Sequence, residues 1–147
     1  IADEPTTALD VIVQDSILKQ IREIQKELNM AMIYISHDIA VIAEVSERVG
    51  VMYAGKLVEM GSTEKIFHNP IHPYTMALMS CFPSIVGEKT ELVTLPGEPP
   101  DLLAPPPGCR FHPRCPYMTE ICREQEPEYK EHTQGHYAAC WHPGGEE

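Results

Sequence analysis

The chain has 147 residues, a hydrophobic share of 43% and a formal net charge of −11, enough for one core or for a half-core with a small appended module. So acidic a chain has no basic surface with which to displace counterions, which excludes nucleic acid as an expected partner. No apolar run approaches bilayer length and no N-terminal secretory pattern is read, so work at a membrane would require docking onto other transmembrane segments.

Ile1-Ala2-Asp3-Glu4 reads as the end of an apolar strand closing on two adjacent carboxylates. Val13, Ile17, Ile21, Ile24 and Leu28 then recur at steps of three and four, which predicts an amphipathic helix from Val11 to Leu28, ended by Asn29. Met30 to Ile35 is a continuous apolar run of strand length, expected to be buried on both faces of a parallel sheet. Ser36-His37-Asp38 interrupts it, and a helix is expected from Ile39 to Val45. Strand, polar tip and helix in that order mark the ligand-facing edge of an open α/β sheet.

Arg48–Tyr53 and Lys56–Met60 are expected to pair as a hairpin turning at Ala54-Gly55, where Gly55 suits a positive φ. A short helix should follow with Ser62 as its cap, and another should start at Pro73 and run to Cys81 or Phe82. Tyr74, Leu78 and Cys81 share a stripe of that helix, so Cys81 is expected to be an ordinary buried thiol. His68 and His72 stand four apart, but Pro70 and Pro73 prevent a helix from aligning them, and loop or capping roles are expected. Leu92–Leu95 is a short strand candidate. Pro96-Gly97-Glu98-Pro99-Pro100 and Pro105-Pro106-Pro107-Gly108 then predict a stiff, extended connector. Three segments follow from this pass: an α/β portion over 1–82, a proline-rich connector over 83–108, and a cysteine-rich module over 109–147.

At a strand tip, Asp3 can hold Mg²⁺ while Glu4 orients an attacking water, and phosphoryl transfer asks little more of a protein than such positioning. His37, ending a neighbouring strand, can donate to a terminal phosphate. The plain alternative is that the two acids mark a strand exit and that His37 caps the next helix. The order of the three groups, separated by one helix and one apolar strand, favours the chemical reading.

Ala2-Asp3-Glu4-Pro5-Thr6-Thr7-Ala8-Leu9-Asp10 resembles the Walker B aspartate, catalytic glutamate and D-loop of ABC transporter ATP-binding subunits, and Ser36-His37-Asp38 their switch-histidine segment. Met52 to Gly61, His68 to Thr75 and Pro96 to Pro100 resemble the oligopeptide/dipeptide importer branch. The resemblance implies the C-terminal part of an α/β P-loop NTPase domain. It also implies ATP and Mg²⁺ as ligands, Asp3 on the metal, Glu4 and His37 as catalytic groups, and Asp10 in the D-loop. These 147 residues contain no Walker A loop, Q-loop or signature motif, so the chain alone is expected to be inactive. Implied partners are transmembrane permease subunits, a second ATP-binding subunit, identical or paralogous, and indirectly a solute-binding protein, at the cytoplasmic face of the cell membrane.

Cys109, Cys115, Cys122 and Cys140 are separated by five, six and seventeen residues, not by the two-residue knuckles of common zinc sites or bacterial ferredoxins. Four thiolates suit tetrahedral zinc or an iron–sulfur cluster, with two disulfides as the ordinary alternative. The resemblance extends to Gly108–Pro116, Glu120–Cys122 and Cys140, and implies a [4Fe–4S] cluster with Zn²⁺ as the alternative. Arg110, Arg114 and Arg123 would offset its charge or serve as surface charge, and His112, His136 and His142 are expected to be supporting or surface groups. His132, within the charged run Glu124–His132, is given no role. Two rival functions stay open: a metal-stabilised interaction domain without catalysis, and an ATPase subunit for nickel or another small solute.

Overall fold

Two strand systems form, one in each of two units, Ile1–Glu47 and Arg48–Glu147. The computed structural model describes residues 1–81, 95 and 97–145. The strand expected at Leu92–Leu95 lies outside them except for Leu95, as do Phe82 and the first part of the connector.

In the first unit, β1 (Ala2–Asp3) runs parallel to β2 (Tyr34–Ile35), with Ala2 opposite Tyr34 and Asp3 opposite Ile35. The backbone pairing continues past both ends, from the Ala2 amide to the Ile33 carbonyl (2.8 Å) and from the Glu4 amide to that of Ile35 (2.9 Å). A parallel pair needs a crossover, and α1 (Val11–Leu28) supplies it. The Asp10 carboxylate caps α1 by accepting from the amides of Ile12 and Val13, and Asn29 closes it at φ 48°. Leu18 is its buried residue, flanked by half-buried Ile17 and Ile21. Val13, Ile24 and Leu28, from the predicted stripe, are exposed.

The run Met30–Ile35 forms a strand only at Tyr34–Ile35, and it is not buried on both faces. Met30, Ile33 and Ile35 are exposed. Among the described residues β1 and β2 pair with no third strand, so the apolar run gives strand pairing while these side chains stay exposed. The second helix of the unit, α2 (Ile39–Val45), is capped by Asp38, whose carboxylate accepts from the amides of Ala40 and Val41.

In the second unit, β3 (Arg48–Tyr53) and β4 (Lys56–Ser62) form the expected hairpin, with β4 two residues longer than predicted. Ala54 and Gly55 both have positive φ, 47° and 77°, the geometry of a tight turn that follows the strand twist. Ser62 ends β4 and caps α3 (Thr63–His68), accepting from the Lys65 amide. His72 caps α4 (Pro73–Ser80), its ring accepting from the Tyr74 amide. Cys81 is exposed rather than buried. It follows the last turn of α4, past the part of the helix whose Tyr74 and Leu78 reach the core.

Residues 97–108 contain no helix or strand. Beyond them come a 3-10 turn (His112–Arg114), α5 (Glu120–Glu124), and a hairpin of β5 (Tyr129–Thr133) and β6 (His136–Ala139). The strand order is β3-β4-β6-β5, all antiparallel, so the cysteine-bearing segment and the first hairpin share a sheet. The core gathers Val51, Tyr53, Val58, Ile66 and Phe111, with Cys109 and Cys115 packed against it. Phe111, 1% exposed, meets Tyr53 edge to face at 5.2 Å and Tyr74 at 5.5 Å, geometries that aromatic quadrupoles favour.

Candidate functional site

The parallel pairing of β1 with β2 brings Glu4 and His37 to one end of the same two strands. His37 Nδ1 lies 2.8 Å from both carboxylate oxygens of Glu4, and the His37 amide donates to Glu4 Oε1 at 3.2 Å. The Thr7 hydroxyl donates to Glu4 Oε2. Together, Thr7 and His37 hold the Glu4 carboxyl below the ordinary carboxylate value of 4.5, with the Thr7 hydrogen bond the larger cause. The same contact raises the His37 imidazole above its ordinary 6.5. The result is an ionised carboxylate with an orientation set from two sides, beside an imidazole that is 77% exposed and able to donate.

Glu4 also sits at φ 48° and Ala8 at φ 62°, left-handed conformations that side chains adopt at an energetic penalty and that gather at functional sites. Asp3 is exposed at the last position of β1, and Asp10 caps α1. The sequence-predicted Glu4 and His37 are therefore in direct contact, with Asp3 adjacent in the chain. The helix cap beside His37 belongs to Asp38. Sequence reasoning missed Thr7. Its position three residues after Glu4 is the only signal, and it becomes meaningful once the turn after β1 is known.

The four C-terminal thiols are also neighbours. Burial is the main cause pushing up Cys109, Cys115 (to about 11) and Cys140 (to about 12), and negative charge on the other cysteines adds to each. Each sulfur has a hydrogen-bond donor at hand. The amides of Phe111 and His112 serve Cys109, that of Tyr117 serves Cys115, and that of His142 serves Cys140 at 3.3 Å, while the Thr119 hydroxyl lies 3.6 Å from Cys122.

The segment is drawn tight where Cys109 donates its amide to the Cys122 carbonyl at 2.8 Å. At Gly108, φ 65°, an added Cβ would stand 2.5 Å from that same carbonyl oxygen, so only hydrogen fits there. None of the four is in a disulfide. Among the described residues, no three metal-binding side chains stand close enough to hold a single ion. Four cysteine sulfurs with N–H or O–H groups beside them are residues that, once deprotonated, could hold a thiolate-bound metal group.

The charged neighbours are engaged elsewhere. Arg110 donates to the Ala54 carbonyl, and Arg123 stands 3.6 Å from Glu120. His112 reaches the Cys109 carbonyl, and His142 the Thr119 hydroxyl at 2.7 Å. His136, expected to be a supporting or surface group, is 2% exposed and pairs with Glu59. His132 contacts the Ala138 carbonyl.

A family model described as "Oligopeptide/dipeptide transporter, C-terminal region" matches residues 58–122, a span that includes Cys109, Cys115 and Cys122. The dipeptide transport ATP-binding protein of Caldanaerobacter subterraneus subsp. tengcongensis is 47% identical over 88% of this chain and 40% of its own length. The oligopeptide transport ATP-binding protein of Escherichia coli is 46% identical over 97% of this chain and 42% of its own. A Bacillus subtilis oligopeptide transport ATP-binding protein is 46% identical over 95% and 44%.

This chain matches the ATP-binding-subunit family of oligopeptide/dipeptide ABC transporters, in its C-terminal region. It spans less than half the length of these curated relatives. Its sheet-and-helix architecture is consistent with the C-terminal part of an ABC-ATPase fold. No helix among the described residues is long and apolar enough to cross a membrane.

Proposed function

We propose that the chain is the C-terminal part of an ATP-binding and hydrolysing subunit of an oligopeptide or dipeptide importer. The observation that carries this reading is the Glu4–His37 contact at the shared end of β1 and β2. Glu4, ionised and held by Thr7, polarises the attacking water, and His37 donates to the terminal phosphate. Asp3 holds Mg²⁺, which offsets phosphate charge. Asp10 joins the D-loop to the start of α1. The residues 1–82 serve as the nucleotide-domain portion, 83–108 as connector and 109–147 as the cysteine module.

Cys109, Cys115, Cys122 and Cys140 hold a [4Fe–4S] cluster, whose contribution when bound is to cross-link a segment with few other covalent constraints. The four cysteines suit either group chemically; the family resemblance supports the cluster, with Zn²⁺ as the alternative. The names of the relatives support peptide cargo and ATP binding; permease subunits, a second ATP-binding subunit, delivery by a solute-binding protein and a peripheral place at the cytoplasmic membrane face are proposed with them from the family resemblance.

The test is Mg-ATP hydrolysis by the full-length subunit. Glu4→Gln is expected to lower turnover by roughly 10²–10⁴-fold, the usual range for a positioned acid–base group, while nucleotide still binds. Turnover retained in Glu4→Gln would remove Glu4 from this role, whereas no turnover in the wild-type full-length subunit would favour a non-catalytic interaction domain.

A further inference from the structure

Glu59 occupies a middle position of β4 and is completely buried, where an unpaired carboxylate would be strongly unfavourable. Three donors surround it: the Ile71 amide at 2.8 Å, the His72 amide at 2.9 Å and His136 Nε2 at 2.7 Å. The first two belong to the loop entering α4, and the third to the first residue of β6. Gly61 makes room for the imidazole, since a Cβ there would stand 3.1 Å from His136 Cδ2.

Few other contacts join the C-terminal hairpin to the rest of its unit, one being the Lys65 ammonium donating to the Gln134 carbonyl. β4 and β6 pair at two positions, Glu59 with Ala138 and Met60 with Tyr137. Lys56–Glu126 is a solvent-exposed ion pair, of a kind that contributes little. Beyond β6 the chain is tied once more to the same loop, where the Gly144 amide donates to the Ile71 carbonyl at 2.8 Å. Nearer contacts tie Trp141 to the Gln125 carbonyl and His142 to Thr119, and Cys140 also lies between two anchors on the other side, His136 four residues before it and Gly144 four residues after it. Both lead back to Glu59, one directly and one through Ile71.

We propose that Glu59 is the positioning residue for Cys140: its buried carboxylate clamps His136 and the 69–72 loop, and so holds the fourth thiol beside Cys109, Cys115 and Cys122. This rests on the reading of the four cysteines as one centre. Iron and sulfide content of the wild-type subunit tests that centre, whereas backbone exchange tests the clamp whatever the thiols hold.

The experiment is hydrogen exchange by mass spectrometry on the full-length subunit. In Glu59→Ala all three donors lose their acceptor, and peptides covering 129–142 are expected to exchange about tenfold faster or more. Peptides covering 11–28 should stay within about twofold of wild type, because none of their hydrogen bonds involves Glu59 or His136. His136→Ala should reproduce the effect and His136→Gln, which keeps a donor, should reverse much of it. Iodoacetamide should then label Cys140 before the other three. Unchanged exchange over 129–142, or equal acceleration over 11–28, would overturn the proposal.

Discussion

In Ile1–Glu47 the groups with chemistry stand on a scaffold with little interior of its own, whereas Arg48–Glu147 closes a core and hides its charge inside. Leu18 and Val41 are buried in the first unit, yet Val11 is 81% and Ile12 83% exposed. In the second, Ile66, Phe111 and Ala138 are at most 1% exposed, and even Glu59 is sealed and satisfied. The difference separates two tasks. A reactive edge can be set by local devices alone: two paired strand residues, the Asp10 and Asp38 caps, and the Thr7 and His37 contacts with Glu4. The partly buried cysteines, by contrast, pack against a closed core, with Cys109 and Cys115 beside Phe111.

The contrast breaks most visibly at Phe111. Phe111→Ala is expected to destabilise the second unit by about 3–5 kcal/mol through lost transfer energy and the cavity left behind. In the same chain Ile12→Ser should change stability by no more than about 0.5 kcal/mol, because that side chain is already in water. Urea denaturation of the two variants compares them directly, and equal effects would erase the distinction between the units.

The thiol cluster gives the next effect. Cys115→Ser in the anaerobically purified full-length subunit is expected to lose most of its iron and acid-labile sulfide. The exchange protection of the second unit should fall, with that of the first unchanged. Stoichiometric zinc without sulfide in the wild type would reject the cluster, and unchanged metal content in the variant would remove Cys115 as a ligand.

A smaller effect sharpens the edge of the first unit. Glu4 titrates below 4.5 and His37 above 6.5, so their contact is fully formed between those values. It weakens as pH falls through the lowered Glu4 value, and again as pH rises through the raised His37 value. In nucleotide-free protein, Glu4→Gln should move the His37 NMR titration midpoint down toward 6.5. A midpoint that does not move would mean that the contact is absent in solution. Smallest of all is the exposed Lys19–Asp15 pair on α1, where Lys19→Ala should leave the thermal midpoint nearly unchanged.

What the sequence makes legible follows the range of each interaction. α1 and the Ala54-Gly55 hairpin declare themselves through periodicity and turn chemistry, both set by near neighbours. Glu4 and His37 are 33 residues apart, but the order of strand, helix and strand brings them together. The double-sided burial of Met30–Ile35 fails because hydrophobicity records what a strand requires, not what covers it here.

The hairpin β5–β6 was hidden inside a charged run, since Lys130 and Glu131 on its outer strand obscure the alternation. Glu59 was invisible for a related reason. A carboxylate inside a strand reads as solvent-facing until His136, 77 residues away, arrives to meet it.

The central claim is that the Glu4–His37 edge faces the last phosphate of ATP. Its most direct test is the His37 imidazole ¹⁵N resonance in the full-length Glu4→Gln subunit, recorded with Mg-ATP and with Mg-ADP. The account predicts a shift with ATP that ADP does not produce. Identical resonances with the two nucleotides would contradict it.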